Sequence, residues 1–289
     1  MRLEHGDANP KGPGIKEIVI ETPANNDYSG RRQALPLGSY AIVPDNGALR
    51  ISGSFTFTAW IAPTSQRGDG TDVFSGVEGI LTKAGGYAVV IDEAGRLSLW
   101  LTAADGRTEK IAAGQPLRTW VPAIPGMNAR PQGVTTVWSF VAVSFDAASG
   151  TVVLHQDPLN DFPFDASRGV SERRTTVKAI ATSAAPLLLA ALRDSSGKIT
   201  GHFNGKIDNP RLYRRVLSPQ EIGAIAQGRG PTDALASWDF SIDIETDRIS
   251  DTSSNELHGS AESFAARETS PCRARASRNT SGRGPRPRP

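Results

Sequence analysis

The sequence predicts an all-β fold in which two antiparallel sheets pack face to face as a jelly-roll-like sandwich, accompanied by one short helix. The 289-residue chain contains 29 glycines and 20 prolines, and so turn-rich a composition suits many short strands. Apolar side chains recur with period two in several segments, whereas helical spacing occurs in one. We therefore expect one large β domain at residues 39–264, preceded by a segment, 1–38, that leads into the sandwich.

The first half of the chain predicts short strands joined by turns. Phe55–Pro63 alternates phenylalanine and alanine with threonine and tryptophan, which is the period of a strand with one buried face. Tyr87–Asp92 and Arg96–Thr102 flank the turn E-A-G and predict a β-hairpin. Three further short strands are predicted, at residues 18–20, 39–43 and 79–83.

The second half begins with the strongest strand pattern, Val137–Asp146, which turns into a second hairpin strand at Thr151–Gln156. Pro186–Arg193 is predicted to be a buried strand because it begins with proline, carries four leucines and ends at D-S-S-G. Ala234–Ser241 is predicted to be the last strand. Two stretches are predicted to be irregular, at residues 113–136 and 157–178.

The most informative segment is Gly201–Gly228, which changes from strand to helix. Ile207 contributes to the apolar content of the strand, and Gly205 marks either a bulge or a close approach of the backbone. Ser218 is predicted to cap the helix, with proline at the first helical position. Glu221 follows Ser218 by three residues and is predicted to complete a capping box.

No catalytic motif is found in the sequence. It has no G-x-S-x-G nucleophile motif and no H-E-x-x-H zinc motif, and its four histidines are scattered at positions 5, 155, 202 and 258. The paired carboxylates Glu245 and Asp247 lack the third carboxylate of an E-x-D-x-x-E glucanase strand. We therefore predict no catalytic residue and no metal-ligand set in this chain.

Two weaker binding candidates remain. Asp208 follows G-K-I and could bind calcium, a cation that prefers carboxylate and carbonyl oxygens; a hydrogen bond from nearby backbone is the alternative. Trp120 lies in the proline-rich stretch and is the best candidate for contacting a sugar, whereas packing in the core or under a loop is the alternative.

The charge of the chain is unevenly distributed. The net charge is +2, yet residues 265–289 carry seven arginines and one glutamate, which leaves 25 basic and 29 acidic residues in 1–264. The mildly acidic sandwich gives no support to specific nucleic-acid binding. The tail combines arginine and proline with no large apolar side chain, and we expect it to be disordered.

The sequence gives no sign of membrane insertion or secretion. No apolar run reaches the roughly 20 residues of a transmembrane helix, and the N-terminus lacks the apolar stretch of a signal peptide. The lone Cys272 excludes an internal disulfide framework. We expect a cytoplasmic protein without a membrane partner.

Three groups of motifs resemble a known family. Residues 203–222 read F-x-G-x-I-D-x-x-R-L-Y-x-R-x-L-S-x-x-E-I and resemble the closing segment of laminin-G-like, concanavalin A-like sandwich domains. His5-Gly6-Asp7 resembles the segment that enters the sandwich of the N,N-dimethylformamidase large subunit. Near the end, Trp238-Asp239-Phe240-Ser241, then Asp251, Asn255 and His258-Gly259, resemble the stretch that leaves that sandwich. The resemblance covers roughly residues 2–260.

The resemblance implies a family of hydrolases (amidases) that act on linear amides and hold iron through tyrosines and a glutamate in a later part of the large subunit. None of Tyr28, Tyr40, Tyr87 or Tyr213 matches a motif of that iron site, so no ligand is carried over. We expect a truncated, inactive fragment that serves docking and assembly, without a cofactor of its own. Its expected partners are the remainder of the large subunit and a small subunit. The alternative function is a free-standing carbohydrate-binding, lectin-like domain.

Overall fold

The computed structural model describes residues 39–63, 76–117, 137–159 and 167–262, which contain one α-helix, α1 (Pro219–Ala226), and a short 3-10 helix (Gly47–Leu49). The strands of these residues are β1 (Tyr40–Val43), β2 (Phe55–Pro63), β3 (Glu78–Lys83), β4 (Tyr87–Ile91), β5 (Arg96–Thr102), β6 (Thr108–Pro116), β7 (Ser139–Asp146), β8 (Thr151–Pro158), β9 (Gly169–Arg174), β10 (Leu187–Leu189), β11 (Leu192–Arg193), β12 (Ile199–Thr200), β13 (Gly205–Tyr213), β14 (Ala236–Asp239), β15 (Arg248–Asp251) and β16 (Gly259–Glu262).

Fourteen of these strands form one continuous ladder, in the order β6-β5-β4-β3-β10-β1-β16-β15-β14-β13-β2-β7-β8-β9, with every neighbouring pair antiparallel. The ladder folds back on itself at the β14–β15 pair. We call the eight strands on one side of this point sheet I; they are, in ladder order, β6, β5, β4, β3, β10, β1, β16 and β15. The six strands on the other side form sheet II; they are β14, β13, β2, β7, β8 and β9. The remaining two strands, β11 and β12, pair as a separate hairpin.

The core lies between the two sheets. Phe55 on β2 of sheet II is fully buried, and its ring centroid lies 5.1 Å from that of Tyr87 on β4 of sheet I. The Tyr87 hydroxyl donates a 3.0 Å hydrogen bond to the Leu49 carbonyl, so its one polar atom is satisfied inside the core. Phe145 on β7 packs against Phe55 from the same sheet, at 6.3 Å between centroids. The two sheets are therefore packed face to face, as the sequence predicts.

The two ends of the ladder, β6 and β9, lie side by side and are joined by side chains. The Gly114 amide donates a 2.9 Å hydrogen bond to the Ser171 hydroxyl. The Glu109 carboxylate accepts hydrogen bonds from the Thr175 hydroxyl (2.6 Å) and the Thr176 amide (3.2 Å). These hydrogen bonds, the one from Thr175 first, lower the pKa of Glu109. We call this line of contacts the β6–β9 seam.

A second apolar layer covers part of the outer face of sheet II. Leu217 and the helix residues Ile222 and Ile225 pack on Trp60 of β2 and Phe140 of β7, whose ring centroids are 5.5 Å apart. This explains why β2 is buried along its whole length: its two faces contact different layers. Trp60, on the face of β2 opposite Phe55 and Phe57, is therefore packed against this second layer.

The structure corrects four predictions about strands. Pro186–Arg193 is two strands, β10 and β11, separated at Ala190, whose φ is 66°, and only β10 is fully buried. The stretch 157–178 contains β9, and the stretch 113–136 begins within β6. Ala234–Ser241 is not the last strand, because β15 and β16 follow it. These strands are short or largely exposed and polar, so they lack the apolar alternation on which the predictions rested. The predicted strand 18–20, segment 1–38 and tail 265–289 lie outside the described residues.

Truncation of Phe55 should destabilise the sandwich strongly. We expect Phe55→Ala to lower the free energy of unfolding by about 3–5 kcal/mol, because a fully buried ring is removed from between the sheets. Val170→Ala, at a residue 62% exposed, is the matched control and should change it by less than about 0.5 kcal/mol. Urea denaturation followed by fluorescence measures both; equal effects would contradict a core centred on Phe55.

Candidate functional site

The strand that opens the Gly201–Gly228 segment is fixed by a close backbone approach and a bulge. A Cβ atom at Gly205 would lie 2.5 Å from the Ala62 carbonyl oxygen, so only glycine fits there. The bulge lies further along, between Asp208 and Arg211, where Asn209 adopts a positive φ of 47°. Gly205 is thus a site of close approach, the second of the two predicted possibilities.

Asp208 and Ile207 point to opposite faces of β13. Ile207 pairs with Ile61 and packs against the core. Asp208 pairs with Trp60 on the outer face, and its carboxylate accepts a 2.8 Å hydrogen bond from the Asn209 side-chain amide. Within the described ranges, no group of three or more His, Cys, Asp or Glu side chains could hold a metal ion. Calcium binding at Asp208 stays a prediction.

The helix begins at a complete capping box. The Ser218 hydroxyl accepts a hydrogen bond from the Glu221 amide, and the Glu221 carboxylate accepts one from the Ser218 amide (2.8 Å). Arg215 also donates to Glu221 (2.7 Å) and to Asp233 (2.8 Å). The Arg215 guanidinium first, then Ser218, lowers the pKa of Glu221 to about 2. Ser218 and Glu221 therefore fix the helix on sheet II.

The motif near the end of the chain forms a buried hydrogen-bond network around Asp251. The Asp251 carboxylate is 5% exposed and accepts hydrogen bonds from the amides of Ser237 (2.7 Å), Ser253 (2.9 Å) and Leu257 (2.8 Å). The Ser253 hydroxyl adds a fourth, at 2.7 Å. One carboxylate thus organises the turn between β15 and β16 and ties it to β14.

The other residues of that motif serve the same turn. Trp238 is fully buried, and its indole N–H donates a 2.8 Å hydrogen bond to the Leu257 carbonyl. His258 Nδ1 accepts from the Asp251 amide (3.0 Å), and the Asn255 side chain donates to the Leu235 carbonyl (2.9 Å). These residues hold the turn together, and their polar groups are occupied by backbone partners.

The described tyrosines and histidines do not fit the iron centre that the resemblance implies for the family. Tyr87 lies between the sheets, Tyr213 lies under α1, and Tyr40 packs against His202 at 5.6 Å between ring centroids. His155 packs against Phe140, and burial, together with Arg168, lowers its pKa. Tyr40, Tyr87 and Tyr213 thus have three different sets of neighbours. Tyr28 and His5 lie outside the described residues.

The tryptophans divide into buried and partly exposed groups. Trp60 and Trp238 are buried, and Trp138 packs at the edge of the α1 cluster. Trp100 is half-buried on the outer face of sheet I, with the Lys110 ammonium 4.0 Å from its ring centroid. Trp120, the sugar-contacting candidate, lies outside the described residues. The sequence prediction missed Lys110 because it did not include β6.

Comparison with known proteins identifies the fold and two long relatives. The family model of the concanavalin A-like lectin/glucanases superfamily matches residues 37–223. The N,N-dimethylformamidase beta subunit of Paracoccus aminophilus is 31% identical over 291 residues, covering 90% of this chain and 34% of the relative. That of Alcaligenes sp. is 29% identical over 279 residues, with the same coverage. The chain spans about a third of the length of these relatives.

Among the solved structures that resemble this chain is one of low sequence identity. A candidate carbohydrate-binding protein from Bacteroides ovatus matches with a TM-score of 0.49 and 14% identity, covering 80% of this chain and 59% of that one.

Within the described ranges, no helix has the length and apolar character needed to cross a bilayer.

The stability of the hydrogen-bond network around Asp251 should be sensitive to the loss of one acceptor oxygen. In Asp251→Asn the side-chain NH₂ must face at least one backbone N–H, so we expect a loss of about 2 kcal/mol in the free energy of unfolding. Glu256→Gln, at an exposed position of the same turn, is the control and should be nearly neutral. Equal unfolding midpoints in urea for the two variants would contradict the role of Asp251.

The capping box predicts an acid-sensitive contribution to stability. Because the folded-state pKa of Glu221 lies below the ordinary value of 4.5, its stabilising effect is present above pH 4.5 and is lost as the pH falls toward about 2. We expect Glu221→Gln to flatten the decline of the thermal unfolding midpoint across this window. Glu93→Gln, at an exposed turn residue, should leave the decline unchanged; a wild-type slope in Glu221→Gln would refute the assignment.

Proposed function

The chain belongs to the concanavalin A-like lectin/glucanases superfamily, and on that premise we propose that it is the non-catalytic sandwich module of an N,N-dimethylformamidase-like large subunit. In this role it serves docking and assembly. The observation that carries the proposal is the alignment: 90% of the chain matches one third of each of two beta subunits. A match that long supports the view that this chain corresponds to one sandwich module of the larger subunit.

The use of polar side chains supports a structural role. The carboxylates of Asp251 and Glu221 accept hydrogen bonds from backbone amides, and that of Glu109 holds the β6–β9 seam. Acid–base chemistry instead requires titratable groups that converge on a substrate. These three carboxylates are instead used in a turn, a helix cap and a contact between strands.

The chemistry of the relatives is proposed to lie in the two thirds that this chain does not match. Their name implies hydrolysis of a linear amide, and the resemblance implies iron in a later part of the large subunit. The scattered positions of Tyr40, Tyr87 and Tyr213 support the view that this module does not hold that iron. The partners that follow from the proposal are the remaining part of a large subunit and a small subunit.

The purified chain is expected to release no dimethylamine from dimethylformamide and to bind no stoichiometric iron. Amine release and iron content measured on the same preparation test this. The matched positive control is the intact Paracoccus aminophilus enzyme. Turnover by the chain itself, or an iron–tyrosinate absorption band, would overturn the non-catalytic assignment.

Docking is tested by exchanging modules. We expect a Paracoccus aminophilus beta subunit whose matching third is replaced by this chain to co-elute with its small subunit and to hydrolyse dimethylformamide. A beta subunit without that third is the comparison, and it should fail to assemble. Full assembly and activity of the deleted form would refute a docking role.

A further inference from the structure

A partly exposed indole lies on the outer face of sheet I, on β5, the strand next to the end strand β6. Leu99 and Leu101 of β5 are fully buried in the core, and Trp100 between them therefore points outward. Its cross-strand neighbours are Ala88 on β4 and Lys110 on β6. On the β4 side the neighbour is the small Ala88, and on the β6 side the Lys110 ammonium lies 4.0 Å from the ring centroid.

The cation beside this indole is held in position without a counter-ion. Among the described residues no carboxylate pairs with Lys110, since the neighbouring Glu109 is bound to Thr175 and Thr176 at the β6–β9 seam. The ring of Trp100 keeps the ammonium at a defined place by a cation–π contact. A positive charge so placed can pair with an anionic group of a ligand that stacks on the same indole.

Hydroxyl groups follow directly along the same face. Thr102 and Thr108 are cross-strand partners one step beyond Trp100 and Lys110, and their hydroxyls lie 3.0 Å apart. One hydroxyl of this pair donates to the other, which leaves both oxygens able to accept from a ligand. Indole, ammonium and two hydroxyls thus lie on one face of the β5–β6 pair, within two neighbouring cross-strand positions.

We propose that this surface, defined by Trp100, Lys110, Thr102 and Thr108, binds an acidic saccharide. The C–H face of a pyranose stacks on the indole, the carboxylate of a uronate pairs with Lys110, and sugar hydroxyls bond to the two threonines. This site is independent of the docking role and gives the carbohydrate-binding alternative a location other than Trp120.

The charge of the surroundings gives no support to a polyphosphate ligand. The described residues contain 17 lysines and arginines and 20 aspartates and glutamates, so they give no net attraction for a densely charged polyanion such as a nucleic acid. One lysine at the indole matches one carboxylate on a largely neutral ring. A uronate oligosaccharide is therefore the occupant that indole and charge together select.

The test titrates the full chain with trigalacturonate and, separately, with neutral galactotriose and with sodium sulfate, using calorimetry and tryptophan fluorescence. We expect saturable binding of trigalacturonate, loss of at least about tenfold in affinity in Trp100→Ala, and a loss of about five- to tenfold in Lys110→Gln. Lys110→Gln should leave the weaker binding of galactotriose unchanged. Lys198→Gln, an exposed lysine in the β11–β12 turn, is the matched control and should bind like the wild type.

Four results would overturn the proposal. These are no saturable binding of trigalacturonate at millimolar concentration, equal loss in Lys198→Gln and Lys110→Gln, full competition by sulfate, and unchanged affinity in Trp100→Ala. Thermal unfolding of each variant shows whether the fold is intact, and Trp100→Phe, which keeps an aromatic face, should retain part of the affinity. Binding by Trp100→Phe but not Trp100→Ala then separates stacking from misfolding.

Discussion

The constraint that governs this molecule is that one ladder of strands must bury a single apolar face. A sheet of fourteen strands cannot do so while open, and it folds back at the β14–β15 pair so that its two halves cover each other. Contact between Phe55 and Tyr87 across the interior is the direct expression of that folding. The hydrogen-bond network around Asp251 lies at this fold-back point and holds β14 of sheet II to β15 of sheet I.

The outer faces obey a weaker rule, because nothing obliges them to be apolar. Sheet II carries Trp60 and Phe140 outward and needs α1 as a cover, which is why the capping box matters beyond the helix itself. Around Trp100 the described residues of sheet I show small and polar neighbours instead. The same strand architecture thus offers one face to internal packing and another to solvent, and a function can be placed on the second without cost to the first.

Sequence patterns predicted the structural features that depend on residues close together in the chain or on a single steric contact. The alternation in Phe55–Pro63, the spacing of Ser218 and Glu221, and the glycine at 205 are each fixed by neighbours within a few residues or by a single steric contact. β6 and β9 escaped prediction because they are edge strands, and edges expose side chains such as those of Lys110 and Val170 that break the apolar period. The candidate saccharide surface was missed for the same reason: it joins Trp100 to a residue on an unpredicted strand. The roles of Asp251 and His258 depend on contacts between β14, β15 and the following turn, which spacing along the chain does not reveal.

The β6–β9 seam has a mechanical consequence. Between these two strands the described contacts run through Ser171, Glu109 and the threonines, whereas every other adjacent pair in the ladder shares main-chain hydrogen bonds. Separating sheet I from sheet II along this line breaks the fewest main-chain hydrogen bonds. We therefore expect the two sheets to separate first at the β6–β9 seam, while they stay joined through the β14–β15 pair. We therefore expect the amide protons of β6 and β9 to exchange with solvent before those of β2 and β7.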